Sequence, residues 1–320
     1  MGPTAVGKTD LALELHQQLT LELPLDIISV DSTMVYKGFN IGTGKPSADV
    51  LTAIPHKIVD IREAHEVYSV ADFCADAKQH IAQAHSKGKI PLLVGGTMMY
   101  FKALQLGLAS LPSSDPAIRT NLTEMLTTKG LEHLYKELLI IDPTRASHIE
   151  PNDTQRIMRA LEIYYISGYT MSELLEKDQQ TIEKPSQDYD FINIIISSDD
   201  RAYIHNNIAQ RFNSMLAAGF IEEVETLLDN KSSHADLPAF RSCGYKQIRQ
   251  YLIGDYSKSE MIERSIISTR QLAKRQLTWL RWFLANDPLQ QISWYDVKKG
   301  EYKMKIINSL LAFDLLKGIV

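Results

Sequence analysis

The sequence predicts an α/β protein made of a P-loop core with a parallel sheet, an all-helical insertion and a helical C-terminal part. Apolar runs of strand length alternate with helical runs over residues 1–110, and a glycine-rich motif opens the chain. Helical patterns alone follow to about residue 185. We assign residues 1–115 and 190–285 to the core, 116–189 to the insertion and 286–320 to a C-terminal tail. We expect the tail to form a peripheral helix.

The elements of the core follow from apolar periodicity and from cap signals. The predicted order is a helix over 10–19, strands over 25–30 and 56–60, a helix over 69–85 and a strand over 89–94. Ser69 and Asp72 have the spacing of a capping box at the start of the longer helix. Because helices separate buried strands, the sheet should be parallel.

The turn cluster at 111–116 marks the entry to the insertion. Helices are predicted over 118–128, 131–140 and 153–167, a strand over 191–197, and helices from 199 to 282 with a break near 230–242. The simplest architecture is therefore an α/β core that an all-helical insertion of about 70 residues interrupts, with a helical C-terminal part.

Composition places the chain among globular proteins, since its 320 residues are 44% hydrophobic and 23% charged. No apolar run reaches the roughly 18 to 20 residues of a membrane span, and no signal peptide is visible. Cys74 and Cys243 cannot make a disulfide framework, which fits a reducing compartment. We expect a cytoplasmic protein that makes no contact with a membrane.

Charge is distributed unevenly, although the whole chain carries only −5. Residues 241–281 hold nine basic and three acidic side chains, a net +6, so the rest of the chain carries −11. This stretch is a candidate anion-binding face. The alternative interpretation is an ordinary solvated helix face.

The segment from Gly2 to Thr9, here called the glycine loop, matches Gly-x4-Gly-Lys-[Ser/Thr] at every fixed position. Its members are Gly2, Pro3, Thr4, Ala5, Val6, Gly7, Lys8 and Thr9. Backbone N–H groups of such a loop and the following helix N-terminus can surround an anion, while Lys8 contacts phosphate oxygens and the Thr9 hydroxyl holds Mg²⁺. The alternative is a chance glycine-rich turn.

A buried strand should precede such a loop, yet only Met1 does. We expect the natural protein to carry about five apolar residues before Gly2.

The loop alone does not say which reaction takes place. The GTPase pattern Asn-Lys-x-Asp is absent, and the strand over 90–96 runs into Thr97 rather than an acidic residue, so hydrolytic motors are disfavoured. Small-molecule kinases and proteins that bind a diphosphate remain. Asp31 ends the strand over 25–30, at the sheet edge where ligands bind, and could act as a general base. A capping Asp or an outer Mg²⁺ partner is the alternative.

Eight blocks, in order along the chain, resemble the tRNA dimethylallyltransferase family. They are residues 2–9, 28–38, 41–46, 68–73, 92–100, 151–156, 243–247 and 269–281. The resemblance spans about residues 1–285, and the lack of C-terminal zinc-finger spacing fits the compact bacterial type. The chain departs from the family in its missing first strand and at Gly44, where the family more often has alanine; we expect glycine there to be harmless.

The resemblance implies transfer of a dimethylallyl group from dimethylallyl diphosphate to N6 of adenosine 37, in tRNAs that read codons starting with U. The glycine loop then becomes a diphosphate cradle with Arg211 beside it, Mg²⁺ on Thr9 is the cofactor, and no ATP is consumed. Asp31 removes the amine proton, and the catalytic set is Asp31, Lys8, Thr97 and Arg211. A P-loop kinase that uses ATP and a non-catalytic RNA-binding protein are the alternatives.

The same resemblance implies a tRNA anticodon stem-loop as partner, bound by a monomer. Flipping the target base costs a few kcal/mol, which contacts elsewhere must offset. The residues implied to contact tRNA are Asp31, Ser32, Thr33, Met34, Thr97, Arg119, Gln155, Arg156, Ile157, Met158, Arg159, Arg241, Ser242, Cys243, Gly244, Tyr245, Lys246, Lys274, Arg275, Gln276, Leu277, Thr278, Trp279, Leu280 and Arg281. Met34, Met98, Met99 and Tyr100 could line the prenyl and base pocket or be plain core.

Overall fold

A computed structural model describes residues 1–181, 189–229, 238–286 and 292–317. The chain forms two compact units. The core unit is Met1–Gln105 with Tyr189–Val320, and the helical unit is Leu106–Asp188. The α/β fold with helical parts is confirmed, although part of the predicted break, residues 230–237, lies outside the described residues.

Two parallel sheets lie in the core unit. Strands β1 (Leu25–Val30), β2 (His56–Lys57) and β3 (Ile90–Gly95) form the order β2-β1-β3, and β1 pairs with β3 from Leu25–Ile90 to Val30–Gly95. Strand β4 (Asn193–Ser197) pairs in parallel with β5 (Ile292–Asp296). The carboxyl ends of β1 and β3 therefore lie side by side, which places Asp31 and Gly96 at one edge.

Helices account for most of the chain. The core unit holds α1 (Lys8–Leu19), α2 (Ala48–Ala53), α3 (Val70–Ser86) and α4 (Met98–Leu106), and later α10 (Arg201–Ala217), α11 (Phe220–Asp229), α12 (Tyr245–Leu252), α13 (Lys258–Ala285) and α14 (Tyr302–Lys317). The helical unit holds α5 (Pro116–Lys129), α6 (Leu131–Ile141), α7 (Pro143–Ala146), α8 (Thr154–Ser167) and α9 (Met171–Thr181). A 3₁₀ turn covers Pro238–Arg241.

The helix starts follow from local chemistry. Ser69 and Asp72 form the predicted capping box at α3, and Ser257 makes another with Glu260 at α13. Asp115 accepts two N–H groups at the start of α5, ahead of a proline that fits the first helical turn. These caps satisfy donors that a helix cannot pair internally.

Each unit has its own apolar core. In the helical unit, Leu122, Leu134, Leu138 and Leu161 are fully buried, as expected for amphipathic helices. Within the described residues, none of the helices combines the length and apolarity needed to cross a bilayer.

The C-terminal tail contains the predicted helix, α14, but a strand precedes it and the helix is not peripheral. Its strand β5 extends β4, and Ile306 of α14 is fully buried in an apolar cluster with Val6 and Leu11. The alternating, β-branched and aromatic run in Ile292–Asp296 explains the strand. The tail thus packs directly against the glycine loop and α1.

Candidate active site

The glycine loop ends at the N-terminus of α1. Gly7 is the helix N-cap with φ 81°, a left-handed conformation that only glycine adopts without strain. Lys8 and Thr9 open the helix, so their backbone N–H groups and the positive end of the helix dipole face the loop. The local geometry is that of an anion-binding cradle.

Side chains from distant helices brace the loop. Gln276 of α13 accepts a hydrogen bond from the Thr4 N–H at 2.8 Å and donates its own amide to Gly96 O at 2.9 Å. Asn207 of α10 donates to Ala5 O at 3.3 Å. Gln276 is 7% exposed, so this side chain, predicted to contact tRNA, instead fixes the loop to the end of β3.

Lys8 lies in a site that disfavours its own charge. Burial, reinforced by repulsion from Arg211, lowers the pKa of the Lys8 ammonium to about 7, while Asp31 opposes the shift. Its Nζ donates to Pro3 O at 2.6 Å. An anion near Nζ would favour the charged form, which makes the site selective for negatively charged groups.

Arg211 of α10 provides a second cation. Its Nη2 donates to Thr43 O at 3.2 Å. Burial lowers the pKa of the guanidinium, and Asp31 and Asp10 oppose that shift. Arg211 and Lys8 therefore influence each other, and both feel the carboxylate of Asp31.

Asp31 follows β1 directly, and the structure shows the capping role that the sequence left open as an alternative to a base role. Its Oδ1 accepts the N–H groups of Thr33 at 2.8 Å and Met34 at 3.2 Å, which makes it a turn cap. Within the described part of the chain, Oδ2 has no hydrogen-bond partner. Thr97 Oγ1 accepts the Ser32 N–H at 3.1 Å, so the end of β3 supports this turn.

One cavity of about 720 Å³ brings these groups together. Its wall includes Lys8, Thr9, Asp31 and Arg211, along with Met34 and apolar side chains of α10 and α11. The volume lies in the range of small-molecule sites, roughly 300–1,000 Å³. Lys8, Arg211 and Asp31 therefore line the same cavity, and the Asp31 carboxylate is close enough to favour the charged forms of both cations.

Three of the four candidate pocket residues are not in the cavity wall. Met98 and Tyr100 are buried at 3% and 6% exposure, and the Tyr100 ring stacks on Phe73 with centroids 4.3 Å apart. Met99 is 48% exposed. The plain-core interpretation holds for Met98 and Tyr100, whereas Met34 lines the cavity.

The candidate tRNA residues of the core unit divide by exposure. The exposed ones are Ser32, Arg241, Lys246, Lys274, Arg275, Thr278 and Arg281, and the half-buried ones are Thr33, Thr97, Ser242, Cys243, Leu277 and Trp279. Gly244, Tyr245 and Leu280 are buried. The side chains of Tyr245 and Leu280 pack into the apolar core, and Tyr245 also lines the cavity described above.

In the helical unit, two candidate arginines share one buried carboxylate. Glu162, 1% exposed, accepts from Arg159 Nη1 at 2.8 Å and from Arg119 Nη1 at 3.3 Å. Arg159 Nη2 also donates to Pro112 O at 2.5 Å. Sequence reasoning missed Glu162, although a glutamate between the apolar Leu161 and Ile163 of α8 is an available signal.

The remaining residues of α8 that were predicted to contact tRNA also divide into exposed and buried side chains. Gln155 and Arg156 are exposed, and Arg156 pairs with Asp153 at 2.5 Å. Ile157 and Met158 belong to the apolar core of the helical unit, with 0% and 9% exposure. Their side chains hold α8 in place and offer no surface to a ligand.

The fold and the cavity define an α/β enzyme in which a loop suited to anions, two cationic side chains and a carboxylate share one cavity. The sequence model of IPP transferase matches residues 34–282, and the chain belongs to this family.

Proteins similar to this chain have names that agree with this family. Over 281 residues, the chain is 51% identical to a protein of Legionella pneumophila (strain Corby) named tRNA dimethylallyltransferase. The aligned region covers 88% of this chain and 87% of that protein. A Bacillus halodurans tRNA isopentenylpyrophosphate transferase matches with TM-score 0.66 and 31% identity over 97% and 94% of the two chains. A eukaryotic dimethylallyltransferase acting on tRNA matches with TM-score 0.77 and 26% identity over 99% and 78%.

Proposed function

We propose that this enzyme transfers the dimethylallyl group of dimethylallyl diphosphate to N6 of adenosine 37 in tRNAs that read codons starting with U. The products are N6-isopentenyladenosine and diphosphate. The observation that carries the proposal is the single cavity in which Lys8, Arg211 and Asp31 meet, in a chain of the IPP transferase family. The names of its relatives support tRNA and a dimethylallyl donor as substrates.

The donor's diphosphate occupies the glycine loop. Loop N–H groups and the N-terminus of α1 face its oxygens, and Lys8 and Arg211 neutralise its charge. Both cations are destabilised by burial in the free protein, so an anion relieves an existing electrostatic strain. As the C1–O bond breaks, negative charge grows on the diphosphate where these groups already lie, which lowers the barrier.

A Mg²⁺ ion fits the same place. In the described ranges, no three His, Cys, Asp or Glu side chains come together to hold a metal by themselves. Thr9 lines the cavity beside Lys8, and Mg²⁺ commonly binds through one or two protein oxygens together with substrate phosphates. Thr9 would contribute its hydroxyl. When bound, the ion supplies positive charge that stabilises the departing diphosphate.

Asp31 deprotonates the acceptor. An exocyclic adenine amine is a weak nucleophile, so its proton must leave as the C1–N6 bond forms. Oδ1 is held by two backbone N–H groups, which fixes the carboxylate and leaves Oδ2 as the proton acceptor. Thr97 supports this geometry through the Ser32 N–H. The step moves one proton to Asp31, makes one C–N bond and breaks one C–O bond.

Each unit contributes a surface for the anticodon stem-loop. The core unit exposes Arg241, Lys246, Lys274, Arg275 and Arg281, and phosphate contacts of this kind position RNA without reading its sequence. The helical unit exposes Gln155 and Arg156 and half-exposes Arg119 and Arg159. These contacts offset the cost of extracting the base from its stack. We also propose that the enzyme acts as a monomer in the cytoplasm.

The test combines the protein, dimethylallyl diphosphate, Mg²⁺ and unmodified tRNA without ATP, followed by nucleoside mass spectrometry. We expect adenosine 37 to gain one C5 unit. A transcript with guanosine 37, which lacks the N6 amine, is the matched control and should stay unmodified. In a parallel reaction that contains ATP, its consumption with a phosphorylated small acceptor would establish the kinase instead. Binding of tRNA without turnover in either reaction would establish a non-catalytic RNA-binding protein.

A further inference from the structure

A carboxylate that the proposed mechanism does not use gathers four donors. Glu223 of α11 accepts the consecutive N–H groups of Asn40 at 3.2 Å, Ile41 at 2.7 Å and Gly42 at 3.3 Å. It also accepts the Tyr245 hydroxyl at 2.6 Å. Charge-assisted bonds to three successive backbone N–H groups hold a loop in one conformation. We call residues 40–46 the Glu223-anchored loop.

Two aromatic rings also pack against the Glu223-anchored loop. A Cβ at Gly42 would lie 2.1 Å from the Phe220 ring and 2.5 Å from the Tyr245 ring, so the backbone rests directly on both. These rings are 1% and 0% exposed and meet edge to face with centroids 4.8 Å apart. The loop therefore has little freedom to move while Glu223 and the rings stay in place.

The loop in turn contacts the guanidinium of Arg211. Thr43 O accepts Arg211 Nη2 at 3.2 Å, and a Cβ at Gly44 would lie only 1.9 Å from the same nitrogen. Ile41, Thr43 and Gly44 all line the cavity that contains Lys8. An arginine side chain has many rotamers, so a carbonyl acceptor and a side-chain-free neighbour select one of them.

From these contacts we infer that Glu223 is a positioning residue: through the Glu223-anchored loop it sets Arg211 at the diphosphate end of the cavity. This inference deepens the proposed function and rests on it for the identity of the donor. A preset guanidinium loses less side-chain entropy when the anion binds, so the anchor should strengthen diphosphate affinity without touching the ligand.

The direct test is Glu223→Gln in the full chain, with inorganic diphosphate as the calorimetric probe. The amide replaces an acceptor oxygen with an N–H₂ group that faces backbone N–H donors, so the loop loses its anchor. We expect Kd for diphosphate and KM for dimethylallyl diphosphate to rise about tenfold, with KM for tRNA unchanged. Glu225→Gln, an exposed glutamate on the same helix, should match the wild type.

A purely structural role predicts a different pattern. Loss of stability alone would lower the melting temperature and the fraction of active protein but leave both KM values in place. An unchanged diphosphate Kd in folded Glu223→Gln would overturn the inference. Should that variant fail to fold, Tyr245→Phe removes one donor while keeping the buried ring. We expect its Kd to rise about threefold, and no change would likewise overturn the inference.

A double-mutant cycle with Arg211→Ala isolates the mechanism. If Glu223 acts through Arg211, adding Glu223→Gln to Arg211→Ala should change the diphosphate Kd by less than about twofold. Fully additive effects would show that Glu223 acts elsewhere. The proposed function fails separately: a wild type that leaves tRNA unmodified, yet binds diphosphate with this Glu223 dependence, would refute prenyl transfer and leave the positioning role intact.

Discussion

Lys8 should make diphosphate binding depend on pH, because its ammonium has a pKa of about 7 in the free protein. Burial causes most of this lowering, and a bound diphosphate reverses it by placing opposite charge beside Nζ. With that pKa, about half of the protein carries a neutral Lys8 at pH 7 and about nine-tenths at pH 8. Binding at pH 8 should therefore take up about 0.9 proton per site.

The direction of the pH dependence follows from the lowered pKa of Lys8. The complex holds a proton that the free protein lacks above pH 7, so raising the pH weakens binding by up to about tenfold per unit, or about 1.4 kcal/mol. Diphosphate also titrates, but its ionisation affects wild type and Lys8→Met equally. The ratio of their affinities should be flat below about pH 6, where Lys8 is charged, and fall steadily above pH 7.

The assay is calorimetric titration with inorganic diphosphate at pH 6, 7 and 8, without divalent ions, in two buffers of different ionisation enthalpy. Lys8→Met gives the background proton uptake to subtract, and it should be at least as stable as wild type because it removes a buried charge. A net uptake of less than about 0.2 proton at pH 8 would mean that Lys8 keeps an ordinary pKa, and the electrostatic argument for the cradle would fail.

Three further outcomes are expected. Asp31→Ala should cut turnover by about 10² or more while tRNA affinity stays near wild type; unchanged single-turnover rates would remove Asp31 from the base role. Lys274→Ala combined with Arg275→Ala should weaken tRNA binding and reduce its salt dependence, measured by filter binding from low to moderate salt, and an unaltered slope would move the RNA surface elsewhere. Glu162→Gln should raise KM for tRNA several-fold by releasing its two arginines, whereas a lower KM would show that Glu162 acts only by repelling phosphate.

Local signals account for most of the correct predictions. The Ser69 cap, the turn cluster ahead of α5 and the apolar run before Asp31 each act within a few residues, so the sequence displays them directly. The placement of Asp31 at a sheet edge needs one more step, the rule that parallel strands end together. Thr97 was singled out by the family resemblance alone, and the in-register ends of β1 and β3 place it beside the turn that follows Asp31.

Long-range pairing accounts for what the sequence did not reveal. Strand β5 gains its hydrogen bonds from β4, about a hundred residues earlier, and α14 is buried only because α1 offers it an apolar face. Glu223 looks like a surface residue of an amphipathic helix until its partners, which come from other segments, are known. Gln276 was assigned to RNA because residues 274–281 resemble a tRNA-contacting segment of the family, and the structure shows that its amide also holds the glycine loop.

The charges in the cavity explain why base and cations share one space. Asp31 favours the charged forms of both Lys8 and Arg211, so it supports two cations that burial alone disfavours. In the proposed reaction, Asp31 becomes neutral when it accepts the amine proton, and at the same moment the leaving diphosphate gains negative charge. The two cations lose the attraction of the Asp31 carboxylate as they gain the attraction of the leaving diphosphate. Proton transfer and departure of the leaving group therefore favour each other. A carboxylate remote from the cradle could still accept a proton, but it could not couple the two events.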